Sequence, residues 1–288
     1  MAAASWPGGK RIAILVSVLL ESWSEGRSPT YFPRTTPLKP GMIDHGGIEW
    51  SHYGGREGVW RLMRVLERAG AKATLFANGL SVELFPDAVR AALAAGHDLG
   101  AHSYAQDQYL SDLKSEEQQA LIRRVLDIFE RATGRRPTGW VSNVYSATPE
   151  TPGLLLREGI RWYADALDCS LPKLVPTPAG EIVALPWCEF VDNRVLRASP
   201  RDFYEVYKDS FDYLYDAEPM GLIHIALHSH FGGRPLIAAQ FEKLLRYFAG
   251  FGDVWMVRHD ELAEWFRAAK PGDLSYQERF FTGKGGQP

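Results

Sequence analysis

Apolar runs and helical repeats alternate along the chain. Ile12–Leu20 is a short, largely apolar run with no polar face, the pattern of a strand covered on both sides. Shorter strands are predicted at Ala73–Phe76, Asp98–Ala101, Gly139–Val141, Trp162–Ala166, Ile182–Leu185, Leu222–Leu227 and Val254–Met256. Between them the spacing turns helical. Arg56–Ala69 carries Val59, Leu62, Met63 and Leu66 on one face and stops at Gly70. Further helices are predicted over Pro86–Ala95, Ser115–Thr133, Pro149–Glu158, Pro200–Tyr215, Pro235–Ala249 and Asp260–Ala268. Ser115-Glu-Glu-Gln118 reads as a capping box, and Gly134 ends that helix.

Strand–helix alternation implies parallel strands joined by crossover helices. The expected class is α/β, a distorted (β/α) barrel of about seven parallel strands. It is expected as one domain over residues 1–271, followed by a polar, Gly-rich tail over 272–288. The segment from Glu21 to Glu57 breaks the rhythm. A loop of that length inside a compact domain is usually functional, and a lid over the barrel mouth is expected.

Composition narrows the function. The chain has 288 residues, 45% of them hydrophobic and 23% charged, and a net charge of −3. It has no basic stripe, so nucleic acid is not expected as a partner. Ile12–Leu20 is too short to cross a membrane, and Glu21 interrupts it before any clean cleavage site. It therefore reads as a buried strand rather than a signal peptide, and no membrane partner is expected. Cys169 and Cys188 give no disulfide framework, and a reducing, cytoplasmic setting is the default.

Polar residues gather at the C-terminal ends of the predicted strands: Glu21, His102, Asn143, Tyr145, Asp165, Asp168, His228 and His230. In a parallel barrel those ends share one mouth. Glu21 ends an apolar strand, where an unpaired buried charge would cost roughly 3–5 kcal/mol. It reads as a site residue, and burial predicts a base with a raised pKa; Glu25, four residues on, is the loop competitor. His228 is a candidate general acid, because an imidazole can protonate a leaving nitrogen near neutrality. Strand alternation puts His230 on the same face, whereas His224 sits deeper and reads as a core histidine. Trp140, Tyr145 and Trp187 are candidate pocket walls, with core packing as the alternative. Arg234 could grip a substrate carboxylate or form a surface ion pair. Asp165 and Asp168 could position substrate or cap the following turn. Asp44, His45, Glu49 and His52 match no regular metal-ligand spacing.

Six stretches in order carry a family likeness. They are Trp6-Pro-Gly-Gly-Lys10, Tyr53-Gly-Gly-Arg-Glu-Gly-Val-Trp-Arg61, Ala73-Thr-Leu-Phe-Ala-Asn-Gly79, Gly96-His-Asp-Leu-Gly-Ala-His102, Thr148-Pro-Glu-Thr151 and Leu227-His-Ser-His-Phe-Gly-Gly-Arg-Pro235. Together the chain resembles the polysaccharide deacetylase superfamily, carbohydrate esterase family 4 in the broad sense. The nearer likeness is to its cofactor-independent allantoinases and cyclic imidases. The resemblance implies a distorted (β/α) barrel and places His102 at a metal-histidine position and His228 at the general-acid position. Metal-dependent members carry Asp-x-Asp where this chain has Leu19 and Glu21. They carry a second histidine at Gln106 and an arginine at Val141. A glutamine carbonyl is not among the donors zinc favours.

The expected activity is hydrolysis of a C–N bond in a small-molecule amide, cyclic imide or ureide, with no cofactor at a degenerate zinc site. Glu21, His102 and His228 would be catalytic. Gln106, Trp140, Asn143, Tyr145, Asp168, Trp187, His230 and Arg234 would contact substrate. A homo-oligomer is expected from the resemblance. Two alternatives stay open: a metal-dependent carbohydrate N-deacetylase with zinc on Glu21, His102 and Gln106, and a ligand-binding pseudoenzyme.

Overall fold

The computed structural model describes residues 5–188, 190–197 and 199–282. Strand β1 (Ile12–Leu20) is buried along its whole length and forms the spine of a curled, mostly parallel sheet. Its side chains divide by parity. Ile12, Ile14, Val16, Val18 and Leu20 pack outward against the helices, and Ala13, Leu15 and Leu19 pack inward. Helix α1 (His45–Tyr53) follows the long early segment, and α2 (Val59–Arg68) buries Val59, Leu62, Val65 and Leu66. Gly70, in the left-handed region at φ +62°, lets the chain turn into β2 (Thr74–Ala77). Then come α3 (Gly79–Leu84), α4 (Pro86–Ala94), β3 (Asp98–Ala101), α5 (Ser115–Thr133), β4 (Gly139–Trp140), α6 (Thr151–Arg157) and β5 (Trp162–Ala166). The cap of α5 is displaced by one residue from the expected box. Lys114 is the N-cap, and its backbone N–H donates to Glu117 at 2.9 Å.

The second half adds β6 (Lys173–Thr177), β7 (Gly180–Pro186), α7 (Pro200–Ala217), β8 (Gly221–His228), α8 (Pro235–Phe248), β9 (Val254–Val257) and α9 (His259–Ala269). The sheet runs β6-β7-β5-β4-β3-β2-β1-β8, and β9 pairs with the first half of β1. The expected α/β barrel is therefore present, but it does not close. Strand β6, unanticipated from the sequence, lies antiparallel on the outer edge of β7. Its alternating half-exposed pattern and Pro176 suit an edge strand. With that edge taken, β8 has no ladder to β7, and a seam separates the two.

Side chains bridge the seam. His224 of β8 donates its Nδ1–H to the Pro186 carbonyl at the end of β7, at 3.1 Å. Its Nε2 meets Ser17 Oγ at 2.7 Å, so His224 is the satisfied core histidine expected. Burial drives its pKa down to about 4 and keeps it neutral. Cys169 and Cys188 are both free thiols. No helix among the described residues is long and apolar enough to cross a membrane. The C-terminal segment lies against the barrel as far as it is described. Leu274 is buried, and Arg279 pairs with Glu218 at 2.9 Å.

A π-helical turn, Gly54–Gly58, sits backbone to backbone on the Ser229–Gly233 turn that follows β8. A Cβ at Gly58 would collide with the Ser229 carbonyl, which has no room to retreat. Gly58→Ala should therefore cost about 1–3 kcal/mol through forced backbone movement. A Cβ at Gly252 meets nothing within 4 Å, so Gly252→Ala should leave the urea midpoint nearly unchanged. Equal midpoints for the two variants would contradict this packing.

Candidate active site

The strand ends build the site from opposite sides of the barrel mouth. Glu21 follows β1 with the inward parity of Leu19, and its side chain is buried. His102 follows β3 and points its Nε2 at Glu21 Oε1, 3.3 Å away. His228 ends β8, and its Nε2 lies 3.6 Å from the same oxygen. His230 Nδ1 stands 4.0 Å from Glu21 Oε2. Strand alternation does not explain His230, because β8 stops at His228 and the chain turns before reaching it. One buried carboxylate thus faces three imidazoles.

Each imidazole is oriented by its other nitrogen. His102 Nδ1 lies 2.9 Å from the Val141 carbonyl and so carries the hydrogen. His228 Nδ1 bonds Asp192 Oδ1 at 2.5 Å, and the His228 backbone N–H donates to Asp192 Oδ2 at 2.7 Å. His230 Nε2 meets the Tyr31 hydroxyl at 2.8 Å. Asn78 ties the strand ends together: its amide donates to the His102 carbonyl, and its Oδ1 accepts from Ser22 N–H at 3.0 Å.

These contacts set the charges. Burial pulls Glu21 upward, but His228, His102 and His230 outweigh it and hold the carboxyl down to about 2. The raised pKa expected from burial alone is therefore reversed. Burial opposes the charge on His228, yet Glu21 and Asp192 lift it to about 9. His230 goes the other way, down to about 3, because burial dominates there. At neutral pH the centre holds a carboxylate beside a His228 imidazolium, with Asp192 behind it and a neutral His230.

A cavity of about 640 Å³ opens above this centre. Glu21, His102, Gln106, Tyr145, Trp187 and His228 line it, together with residues of the early segment, among them Trp23, Arg27 and Tyr31. That segment is folded over the site. Asp44 fastens it, pairing with Arg34 and accepting from Ser28 Oγ and Gly47 N–H, each at 2.9 Å. Glu25 is exposed.

Five expected substrate contacts do not line the cavity: His230 is fully buried beside Glu21, and four lie elsewhere. Trp140 is fully buried core, its indole N–H donating to Ser142 Oγ. Asp168 is exposed and paired with Lys173 at 2.6 Å, facing the groove along the seam. Arg234 lies over the Tyr53 ring, 4.2 Å from its centroid, and donates to the His230 carbonyl. Asn143 is buried, its amide N–H group donating to the carbonyls of Ala105, Gln106 and Gln108. It shapes the Gln106 loop instead of touching the cavity. Asp165 accepts from Ser142 N–H at 2.7 Å, which links the ends of β5 and β4 and is not a cap of the turn that follows Asp165.

Relatives that use zinc would place it between the positions of Glu21, His102 and Gln106. The Gln106 carbonyl oxygen is buried with no hydrogen-bond partner, but it is a neutral amide. Among the described residues no three His, Cys, Asp or Glu side chains are grouped to hold a metal ion. Zinc favours His, Cys and carboxylate donors, and Gln106 is none of these.

The polysaccharide deacetylase family model matches residues 44–152. A peptidoglycan deacetylase of Helicobacter pylori is 25% identical over 76% of this chain and 87% of its own length. The chain superposes on the PuuE allantoinase with a TM-score of 0.83 and 27% identity, covering 93% of this chain and 94% of the other. The family match thus falls on residues 44–152, and the chain as a whole is similar to polysaccharide deacetylases and to an allantoinase. A probable polysaccharide deacetylase from Pseudomonas aeruginosa PAO1 is similar too, at TM-score 0.81 and 26% identity over 93% and 95% of the two chains. The curled half-barrel is the fold this chain shares with these structures.

Asp192 and Tyr31 escape the sequence reading. Asp192 sits six residues beyond β7, too far for the strand-end rule, and Tyr31 lies in a segment without periodicity. A group whose pKa is raised on folding stabilises the native state at low pH. The His228 contribution is fully present below about 6.5 and is lost as pH rises through about 9. Asp192→Asn should lower the His228 titration midpoint and flatten that loss. Imidazole NMR titration and urea midpoints on either side of pH 9 check it, and an unmoved midpoint would rule out the Asp192 contact.

Proposed function

We propose that this chain hydrolyses a C–N bond of a small amide, cyclic imide or ureide without a metal ion. The observation that carries the reading is the Glu21 carboxylate held between His102 and the His228 imidazolium at the floor of the cavity. Water bound beside Glu21 adds its oxygen to the substrate carbonyl carbon, and the proton it loses goes to the Glu21–His102 pair. The His228 imidazolium faces the oxyanion that develops. As the C–N bond breaks, His228 gives its Nε2 proton to the departing nitrogen. Asp192 keeps the Nδ1 proton in place throughout. The products are a carboxylic or carbamic acid and an amine or amide.

Two observations support a small substrate. The Tyr31 segment reaches over the centre to His230, and the chain superposes on an allantoinase. The second reading, N-deacetylation of a sugar polymer, is favoured by the name of the Helicobacter pylori relative. We propose the cytoplasm as its location and a homo-oligomer as its working form.

Metal content separates the two readings. Protein dialysed against a strong chelator should keep its amide or ureide hydrolysis, with less than stoichiometric zinc by elemental analysis. Zinc at one per chain, lost together with activity, would sink the metal-free mechanism. His228→Ala should lower kcat by about a hundredfold or more, the range for loss of a general acid. Unchanged turnover in that variant would leave a ligand-binding role as the better reading.

A further inference from the structure

The cavity has an uneven distribution of hydrogen-bonding groups. At its floor, Glu21 Oε2 and Gln106 Oε1 are buried and have no hydrogen-bond partner. Both are acceptors, so a ligand that satisfies them presents N–H groups inward. Beyond the Glu21–histidine centre, the charged lining residues are Arg27, Asp107 and Arg194. Asp107 is engaged, because its Oδ1 accepts from Ser24 N–H at 2.8 Å. Among the described residues neither guanidinium has a carboxylate partner.

Arg194 is also held at a fixed distance from the chemistry. It lies two residues after Asp192, in a turn closed by Arg194 N–H to the Val191 carbonyl at 3.0 Å. Asp192 is itself fastened to His228. Across the mouth, Val144 and Tyr145 are both left-handed, at φ +49° and +54°. Side chains with a Cβ rarely adopt that conformation, and such strain collects at functional sites. It places Tyr145 beside Arg194 at the rim.

We propose that the substrate carries a carboxylate or equivalent anion remote from its scissile amide or ureide, held at the cavity mouth by Arg194 and Arg27. The inference rests on the C–N hydrolase reading for what lies at the floor. The matching ligand has N–H groups at its head, taken by Glu21 and Gln106, and an anion at its tail. A guanidinium fork suits that tail because it meets two carboxylate oxygens at once.

The test uses N-carbamoyl-β-alanine and its carboxamide, which match in length and differ in charge. Titration calorimetry at low ionic strength should show the acid binding roughly tenfold tighter, as expected for one charge-assisted contact. Arg194→Gln should bring that preference close to unity without changing affinity for the carboxamide. Arg27→Gln should reduce it in part, and added salt should reduce it in the native protein. Arg194→Lys should retain part of the preference by keeping the charge without the fork. Equal affinity for the two probes, binding of neither, or a preference that survives both glutamine variants overturns the inference. Ammonia release from the same probes scores hydrolysis separately. A carboxylate preference without ammonia release upholds the anion site and counts against the hydrolase reading. Equal release with equal affinity does the reverse.

Discussion

A single buried carboxylate organises this molecule. Glu21 lies at the end of a strand that has no other charge, with its side chain buried at the floor of the cavity. Alone it would cost several kcal/mol or take up a proton. The imidazoles around it supply the balance. His228 is charged because Glu21 is, and it stays charged because Asp192 stands behind it. Removing either carboxylate discharges the other side of the arrangement, so the groups cannot be treated as independent sites.

The same contacts hold the barrel together. Asp192 belongs to the chain leaving β7, and His228 ends β8, the two strands that share no ladder. Their hydrogen bond crosses the seam, as does the bond from His224 to Pro186. Tyr207 of α7 steadies the chain leaving β7 by donating to the Phe190 carbonyl at 2.5 Å. The geometry of the site and closure of the fold are therefore set by overlapping side chains.

Much of this is legible in the sequence. The parity of β1 follows from its apolar run, and the rule that parallel strands share a mouth brings Glu21, His102 and His228 together from distant segments. Glu21 and the histidines need only their position at strand ends to be found. The rest fails for identifiable reasons. Strand β6 has no periodic apolar face, because it is an edge with one side open. Trp140 and Asn143 sit at a strand end, as the rule requires, but β4 is two residues long and its side chains turn into packing and loop support. Asp168 is a carboxylate near a strand end, yet Lys173 neutralises it outside the mouth. The sign of the Glu21 shift is hidden because burial can be seen in one strand, whereas the compensating charges come from three other segments.

The open seam has a further consequence. In a closed barrel the width of the mouth is fixed by backbone hydrogen bonds around the full circumference. Here the arc from β1 to β5 and β7, with Glu21 and His102, is fixed that way, but the distance from Trp187 and Asp192 to His228 is not. Only side chains set it. A substitution along the seam can therefore widen or narrow the cavity on one flank without breaking a ladder, while the carboxylate and its first histidine keep their places. Such a scaffold can change the size of molecule it accepts by small steps, each affecting a few contacts and none the sheet.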